Sequence, residues 1–205
     1  MVIDIIKLKN GTLEYIDELH LYIYEGQILP SVSQILNIKF GKKYDGIPEH
    51  ILKNAALRGT AIHQVIEDYE KDNIEDKGCI ELSNWKFLKK EYKFKCLDNE
   101  VPIIIFKDEE PIACGRLDLV LEEDGKIGLG DIKTTSKLDT EHLEYQLNLY
   151  RIGFQQCYGK NIDFLRGVHL KGKVKKYVDI PIDEKKAIRL LEEFLESREW
   201  WKKNY

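Results

Sequence analysis

The chain has 205 residues, 43% of them hydrophobic, which suffices for one compact core, and a formal net charge of −4. No stretch approaches the roughly 18 consecutive apolar residues of a membrane span. The N-terminus MVIDIIKLKN lacks the basic region, apolar core and cleavage site of a secretory signal, so a cytoplasmic location and no membrane partner are expected.

Residues 2 to 24 hold short apolar runs broken at Asn10-Gly11 and Asp17-Glu18, which predicts a small β-meander as an appendage over residues 1–28. Pro30 and Ser31 then precede the helical spacing of Val32, Ile35 and Leu36, and a second helix is expected over residues 49–71. From Tyr92 onward the pattern becomes β-type, with runs at 92–97, 101–107, 112–121 and 126–133 and turn signals at Asp98-Asn99 and Asp124-Gly125. Helical spacing returns over 139–157, placing Leu143, Leu147, Tyr150 and Phe154 on one face. Strands at 164–170 and 174–180 flank the turn Lys171-Gly172-Lys173. A last helix starts at the cap Asp183, with Ile188, Leu191 and Leu195 on its buried face and Trp200-Trp201 anchoring its end. This order predicts an α/β fold, a mixed sheet flanked by helices, as one functional domain over 29–205.

The four cysteines, Cys79, Cys96, Cys114 and Cys157, stand apart with no CxxC pair, which disfavours a disulfide framework and an iron–sulfur cluster. Lysines gather at 39–43, 86–95 and 171–176, so local basic patches coexist with the acidic total, although any single run reads first as solvated surface. Residues 167–174, GVHLKGKV, nearly spell a phosphate-binding loop, but Val174 replaces the hydroxyl residue and a β-type run follows. His20, His50, His142 and His169 form no zinc-binding pair.

The informative stretch is GRLDLVLEEDGKIGLGDIKTT, residues 115–135. Asp118 lies inside an apolar strand run, where an ionised carboxylate needs a partner. Asp131 and Lys133 alternate with Ile132 and therefore share one strand face. A tight turn between the two strands brings Asp118 and Asp131 toward one point. Carboxylates that converge repel unless a cation lies between them, and Mg²⁺ takes one or two carboxylates plus phosphate and water oxygens. A lysine beside them stabilises charge developing on a phosphate, so the set suits phosphodiester hydrolysis. The plain alternative is a strand-edge Asp118 and a surface Asp131–Lys133 ion pair.

The motifs Gly115-Arg116-Leu117-Asp118, Asp131-Ile132-Lys133-Thr134-Thr135 and Gln146 to Tyr150, preceded by Leu29-Pro30-Ser31-Val32 and Arg58-Gly59-Thr60-Ala61-Ile62-His63, resemble the RecB-like branch of the PD-(D/E)xK nuclease superfamily. That branch includes phage-encoded and mitochondrial genome maintenance exonucleases. The resemblance implies a restriction-endonuclease-like core and a DNA exonuclease dependent on Mg²⁺ or Mn²⁺, serving recombination, repair or phage DNA processing. It implies DNA, single-stranded or with a free end, as partner, with a recombination protein as a candidate second one. Carried over residue by residue, it implies His63, Asp118, Asp131 and the Ile132 carbonyl as metal ligands. It also implies Lys133 as the catalytic lysine, with Arg58, Thr135, Gln146 and Tyr150 beside the site or on DNA. Glu100 is the candidate for a further acidic position, ahead of Glu110, and Glu67 is a fallback ligand one helical turn from His63. An inactive DNA-binding module of the same fold and a site-specific endonuclease are the competing readings.

Overall fold

The computed structural model describes the backbone of residues 3–8, 11–16 and 21–204, and the side chains of 5–8, 11–16 and 21–197. The readings of Asn10, of Asp17-Glu18 and of the Trp200-Trp201 side chains lie outside the described residues.

Strands β1 (Ile3–Leu8), β2 (Gly11–Ile16), β3 (Leu21–Tyr24) and β4 (Gln27–Leu29) pair in sequence order as an antiparallel meander. Helix α1 (Val32–Phe40) opens with a reciprocal capping box in which Ser31 Oγ accepts from Gln34 N and Gln34 Oε1 accepts from Ser31 N. A 3-10 turn (Gly41–Tyr44) leads to the long helix α2 (Glu49–Asp72), and α3 (Ile80–Tyr92) follows.

A second sheet carries β5 (Lys95–Lys107), β6 (Glu110–Glu123), β7 (Lys126–Lys133), β8 (Phe164–Lys171) and β9 (Val174–Ile180) in that order. Only β7 and β8 run parallel, joined by the crossover helix α4 (Thr140–Tyr158). Helix α5 (Glu184–Asn204) comes last, its first turn capped by Asp183 Oδ1 accepting from Lys186 N. The protein is thus a mixed α/β fold: a mixed sheet flanked by helices, with an antiparallel sheet at its N-terminus.

Helices α1, α4 and α5 pack on one face of the mixed sheet through Leu36, Leu147, Tyr150 and Leu190, while α2 and α3 cover the other through Ile62, Ile66, Leu82 and Trp85. The meander leans on β5, β6 and α4 through Leu13, Tyr24 and Leu29 against Ile104, Cys114 and Cys157. All four cysteines are free thiols. No described helix is long and apolar enough to cross a membrane.

Three expectations change. The turn at Asp98-Asn99 is a bulge inside the single strand β5: Cys96 pairs with Leu121 and Asp98 with Val120, leaving Leu97 extra. The Asp-Asn pair still does turn-like chemistry there, since Asp98 Oδ1 accepts from Asn99 N. Second, the run expected to be a strand from Tyr92 begins only at Lys95, because Ile80–Tyr92 is helical. Third, the buried stripe of α5 is Ala187, Leu190, Leu191 and Phe194, with Ile188 37% exposed. Helical spacing permitted two adjacent stripes, and packing against α4 and α1 selected between them.

Candidate active site

Two hairpins and two helices assemble the site. Asp124 and Gly125, at φ 48° and 77°, make the tight turn between β6 and β7, a backbone that matches strand twist and favours Asp-Gly. Leu119 pairs with Gly130, so the register brings Asp118 opposite Asp131. Asn99 pairs with Leu119 and Val101 with Leu117, which sets Glu100 of β5 on the other side of Asp118. The bulge at Leu97 gives β5 this register. Glu100 itself sits at φ 51°, a left-handed conformation that costs a non-glycine residue on the order of 1–3 kcal/mol and tends to mark functional positions.

From the α2 side His63 reaches over the end of the hairpin. Its Nε2 lies 3.0 Å from the Ile132 carbonyl oxygen, and its Nδ1 is 3.6 Å from Asp118 Oδ2 and 3.7 Å from Glu100 Oε1. With Nε2–H donating to the carbonyl, Nδ1 is aimed at the carboxylates. Ligand-type atoms of His63, Glu100 and Asp118 all lie within 4.8 Å of one another. Asp118 Oδ2 also accepts from Ile132 N at 2.7 Å, which locks its carboxylate against β7.

From the α4 side comes the lysine's support. Lys133 Nζ lies 2.6 Å from Asp131 Oδ2 and donates to Gln146 Oε1 at 2.9 Å. The ammonium is thus the partner of Asp131 Oδ2. Asp131 is 1% exposed, and its other oxygen, Oδ1, has no hydrogen-bond partner among the described residues. Tyr150, one turn beyond Gln146, hydrogen-bonds with it and lays its ring on β6. Gly115 permits this: a Cβ there would meet Tyr150 Cε1 at 2.8 Å and Val32 Cγ2 at 3.3 Å. The glycine of the Gly115 to Asp118 motif is thus a contact requirement of the Tyr150 ring.

The electrostatics follow from burial and crowding. Burial raises the Asp131 carboxyl, and the neighbouring Asp118 raises it further, to about 6 despite Lys133. Asp118 is raised by burial and by Glu100, against the pull of His63 and Lys133. Burial opposes charge on His63, but Asp118, Glu100 and Asp131 outweigh it and lift the imidazole to about 9. Lys133 is held above its ordinary value because Asp131 and Asp118 overcome its burial. The site is a carboxylate cluster short of cationic charge.

The other sequence candidates fall into place unequally. Glu100, not Glu110, joins the cluster; Glu110 pairs with Lys107 at the far tip of β5–β6. Glu67 is engaged in an ion pair with Lys71 and is not among the clustered ligand-type residues. Asp131 adjoins the His63–Glu100–Asp118 group without falling inside it. The Ile132 carbonyl faces His63. Thr135 hydrogen-bonds to the Lys137 carbonyl, and its own carbonyl lies 2.7 Å from His169 Nε2. Arg58 is engaged by Glu81 at 2.6 Å. Glu81, Asn84 and the helix bearing them were missed. The signal was Leu82, Trp85 and Leu88 at three-residue spacing, obscured by the surrounding lysines.

No family model matches the chain, and no curated protein matches it. Among solved structures, one described as "Crystal structure of SSO0001" is 17% identical at a TM-score of 0.46, over 82% of this chain and 75% of that one. A likeness at that level carries no argument about this chain.

Proposed function

We propose that this chain is a Mg²⁺- or Mn²⁺-dependent deoxyribonuclease that degrades DNA from a free end. The observation that carries the reading is the convergence of His63, Glu100 and Asp118 within 4.8 Å beside the Asp131–Lys133–Gln146 chain. The donor set fits a hard divalent ion: carboxylates dominate, with one imidazole that Mn²⁺ accepts more readily than Mg²⁺ does. The unpartnered Oδ1 of buried Asp131 supplies a further reason for a cation nearby. His63, Glu100 and Asp118 would hold the ion, with Asp131 beside them. When bound, such an ion polarises a phosphoryl oxygen and lowers the pKa of an attacking water.

The chain's own part is positioning. Asp131 and Gln146 hold Lys133 with its ammonium charged, ready to stabilise the negative charge that grows on the phosphate oxygens. Tyr150 steadies Gln146, and the Ile132 N–H fixes Asp118. Branch resemblance supports action from DNA ends in recombination, repair or phage DNA processing.

End-labelled linear DNA, single-stranded and duplex, and a covalently closed circle test the reading with Mg²⁺, Mn²⁺ or EDTA. Metal-dependent shortening of linear DNA with an intact circle is the expected result. Cutting of the circle would replace the exonuclease by an endonuclease, and intact DNA in every lane would leave only a binding module.

Stability should report the same cluster. His63 is raised in the fold, so its stabilising charge is complete below about pH 6.5 and lost as pH rises through about 9. Asp131, an acid raised to about 6, likewise favours the fold when protonated and loses that contribution as pH rises through about 6. Both signs agree, so the metal-free Tm should fall by about 5–10 °C between roughly pH 5 and pH 9. Saturating Mn²⁺ takes the place of those protons and flattens the slope in thermal-melt measurements. Parallel slopes with and without Mn²⁺ would contradict it.

A further inference from the structure

Of the three lysine runs, two are drawn largely into ion pairs, with Lys42, Lys90 and Lys93 left out of them among the described residues. Lys39 and Lys43 meet Glu141 and Asp139, and Lys86, Lys89 and Lys95 meet Glu75, Glu70 and Glu122. The run at the β8–β9 tip is different. Lys171, Lys173, Lys175 and Lys176 have no acidic partner among the described residues, and Lys175 lies over the Phe87 ring at 4.7 Å.

The tip also stands at the site's edge. Strands β7 and β8 run parallel with Lys133 paired to His169, so the chain leaves β8 toward Lys171 at the same end of the sheet where Asp131 and Lys133 lie. Lys171 is two residues beyond His169, about 7 Å along the strand. His169 Nε2 ties this end of β8 to the Thr135 carbonyl just after the motif lysine.

A hairpin tip is ordinarily left to water. Here both backbone groups of Gly172 are pinned to α3: its N–H donates to Glu81 Oε1 at 2.9 Å, and its carbonyl accepts from Asn84 Nδ2 at 2.7 Å. Glu81 and Asn84 are buried. The same Glu81 oxygen holds Arg58 of α2 at 2.6 Å, five residues and about 7.5 Å along the helix from His63. Burial raises the Glu81 carboxyl, but the Gly172 N–H and Arg58 overcome it and keep it below its ordinary value. One buried carboxylate thus joins α2, α3 and the lysine-bearing tip into a fixed frame around the site.

The geometry points to the β8–β9 tip as a rail for the nucleic-acid backbone, with Lys171, Lys173, Lys175 and Lys176 contacting phosphates beyond the scissile one and Glu81 and Asn84 holding the rail in place. This rests on the nuclease reading and deepens it by naming where the polyanion runs. Phosphate contacts carry no base information, so the rail serves affinity and register on the strand, not sequence choice.

The test compares wild-type protein with Lys171→Gln/Lys173→Gln/Lys175→Gln/Lys176→Gln. A charge-matched control, Lys95→Gln/Lys126→Gln/Lys160→Gln/Lys185→Gln, lies at the opposite end of the sheet. Each lost phosphate contact lowers the slope of log affinity against log salt by about 0.7–0.9, so the tip variant should lose about 3 from that slope. Its KM for linear DNA should rise roughly tenfold or more at low salt, with kcat within about twofold and the Mn²⁺-dependent rise in Tm intact. The control should keep the wild-type KM and slope. Wild-type KM and salt slope in the tip variant, or an equal change in the control, would overturn the rail while leaving the nuclease reading standing. Wild-type protein that neither binds nor cleaves DNA would remove both.

Discussion

Alanine at Lys133 should lower the rate of DNA cleavage by about 10²–10³-fold, the range seen when one group that stabilises transition-state charge is removed. The side chain is 23% exposed and its ammonium sits between Asp131 Oδ2 and Gln146 Oε1. Its raised pKa keeps it charged across the neutral range. Removal also strands Asp131, buried at 1% exposure, without its cation, and breaking a buried pair costs about 3–5 kcal/mol. The two effects separate by measurement. In Lys133→Ala the Mn²⁺-dependent rise in Tm should persist, because His63, Glu100 and Asp118 remain, whereas Asp118→Ala should lose both cleavage and that rise. Lys133→Arg should recover little, since a planar fork does not fill the place of a point charge held by two oxygens. A Lys133→Ala rate within tenfold of wild type would end the assignment of this lysine to the chemistry.

Trp85→Ala should destabilise the fold by about 3–5 kcal/mol. Trp85 is fully buried between α3 and the mixed sheet, edge-on to Phe94 at 5.2 Å. Its Nε1 donates to Glu70 Oε1 at 2.7 Å. Glu70 keeps Lys89 as a partner after the truncation, so the loss is chiefly the cavity. At about 2–4 °C per kcal/mol for a chain this long, Tm should fall by roughly 10 °C or more. Phe87→Ala, on the same helix but 49% exposed, should stay within about 0.5 kcal/mol. Equal melting shifts in the two variants would show that α3 is not packed as described.

The motif stretch was the most legible part of the chain. Alternation in β7 placed Asp131 and Lys133 together, and Asp124-Gly125 specified the turn that carries Asp118 back to them; both are local rules with short reach. Leu143, Leu147, Tyr150 and Phe154 similarly announced the buried face of α4. Glu100 was legible only as one of two candidates, because its place depends on how β5 pairs with β6 across a bulge. Helix α3 was hidden by its lysines and by the absence of a side-chain cap at Cys79, which left no start signal to weigh against the charge run.

Periodicity, capping and turn chemistry, which act over a few residues, were enough to establish an α/β chain with a carboxylate–lysine hairpin. Long-range register and helix packing decided the rest: that His63 closes on Glu100 and Asp118, which lie 37 and 55 positions further along the chain, and that Arg58 is taken by Glu81. They also decided that one lysine run in three is left without acidic partners. Such contacts join residues from separate elements, and their energies exist only once the sheet has brought those elements into reach.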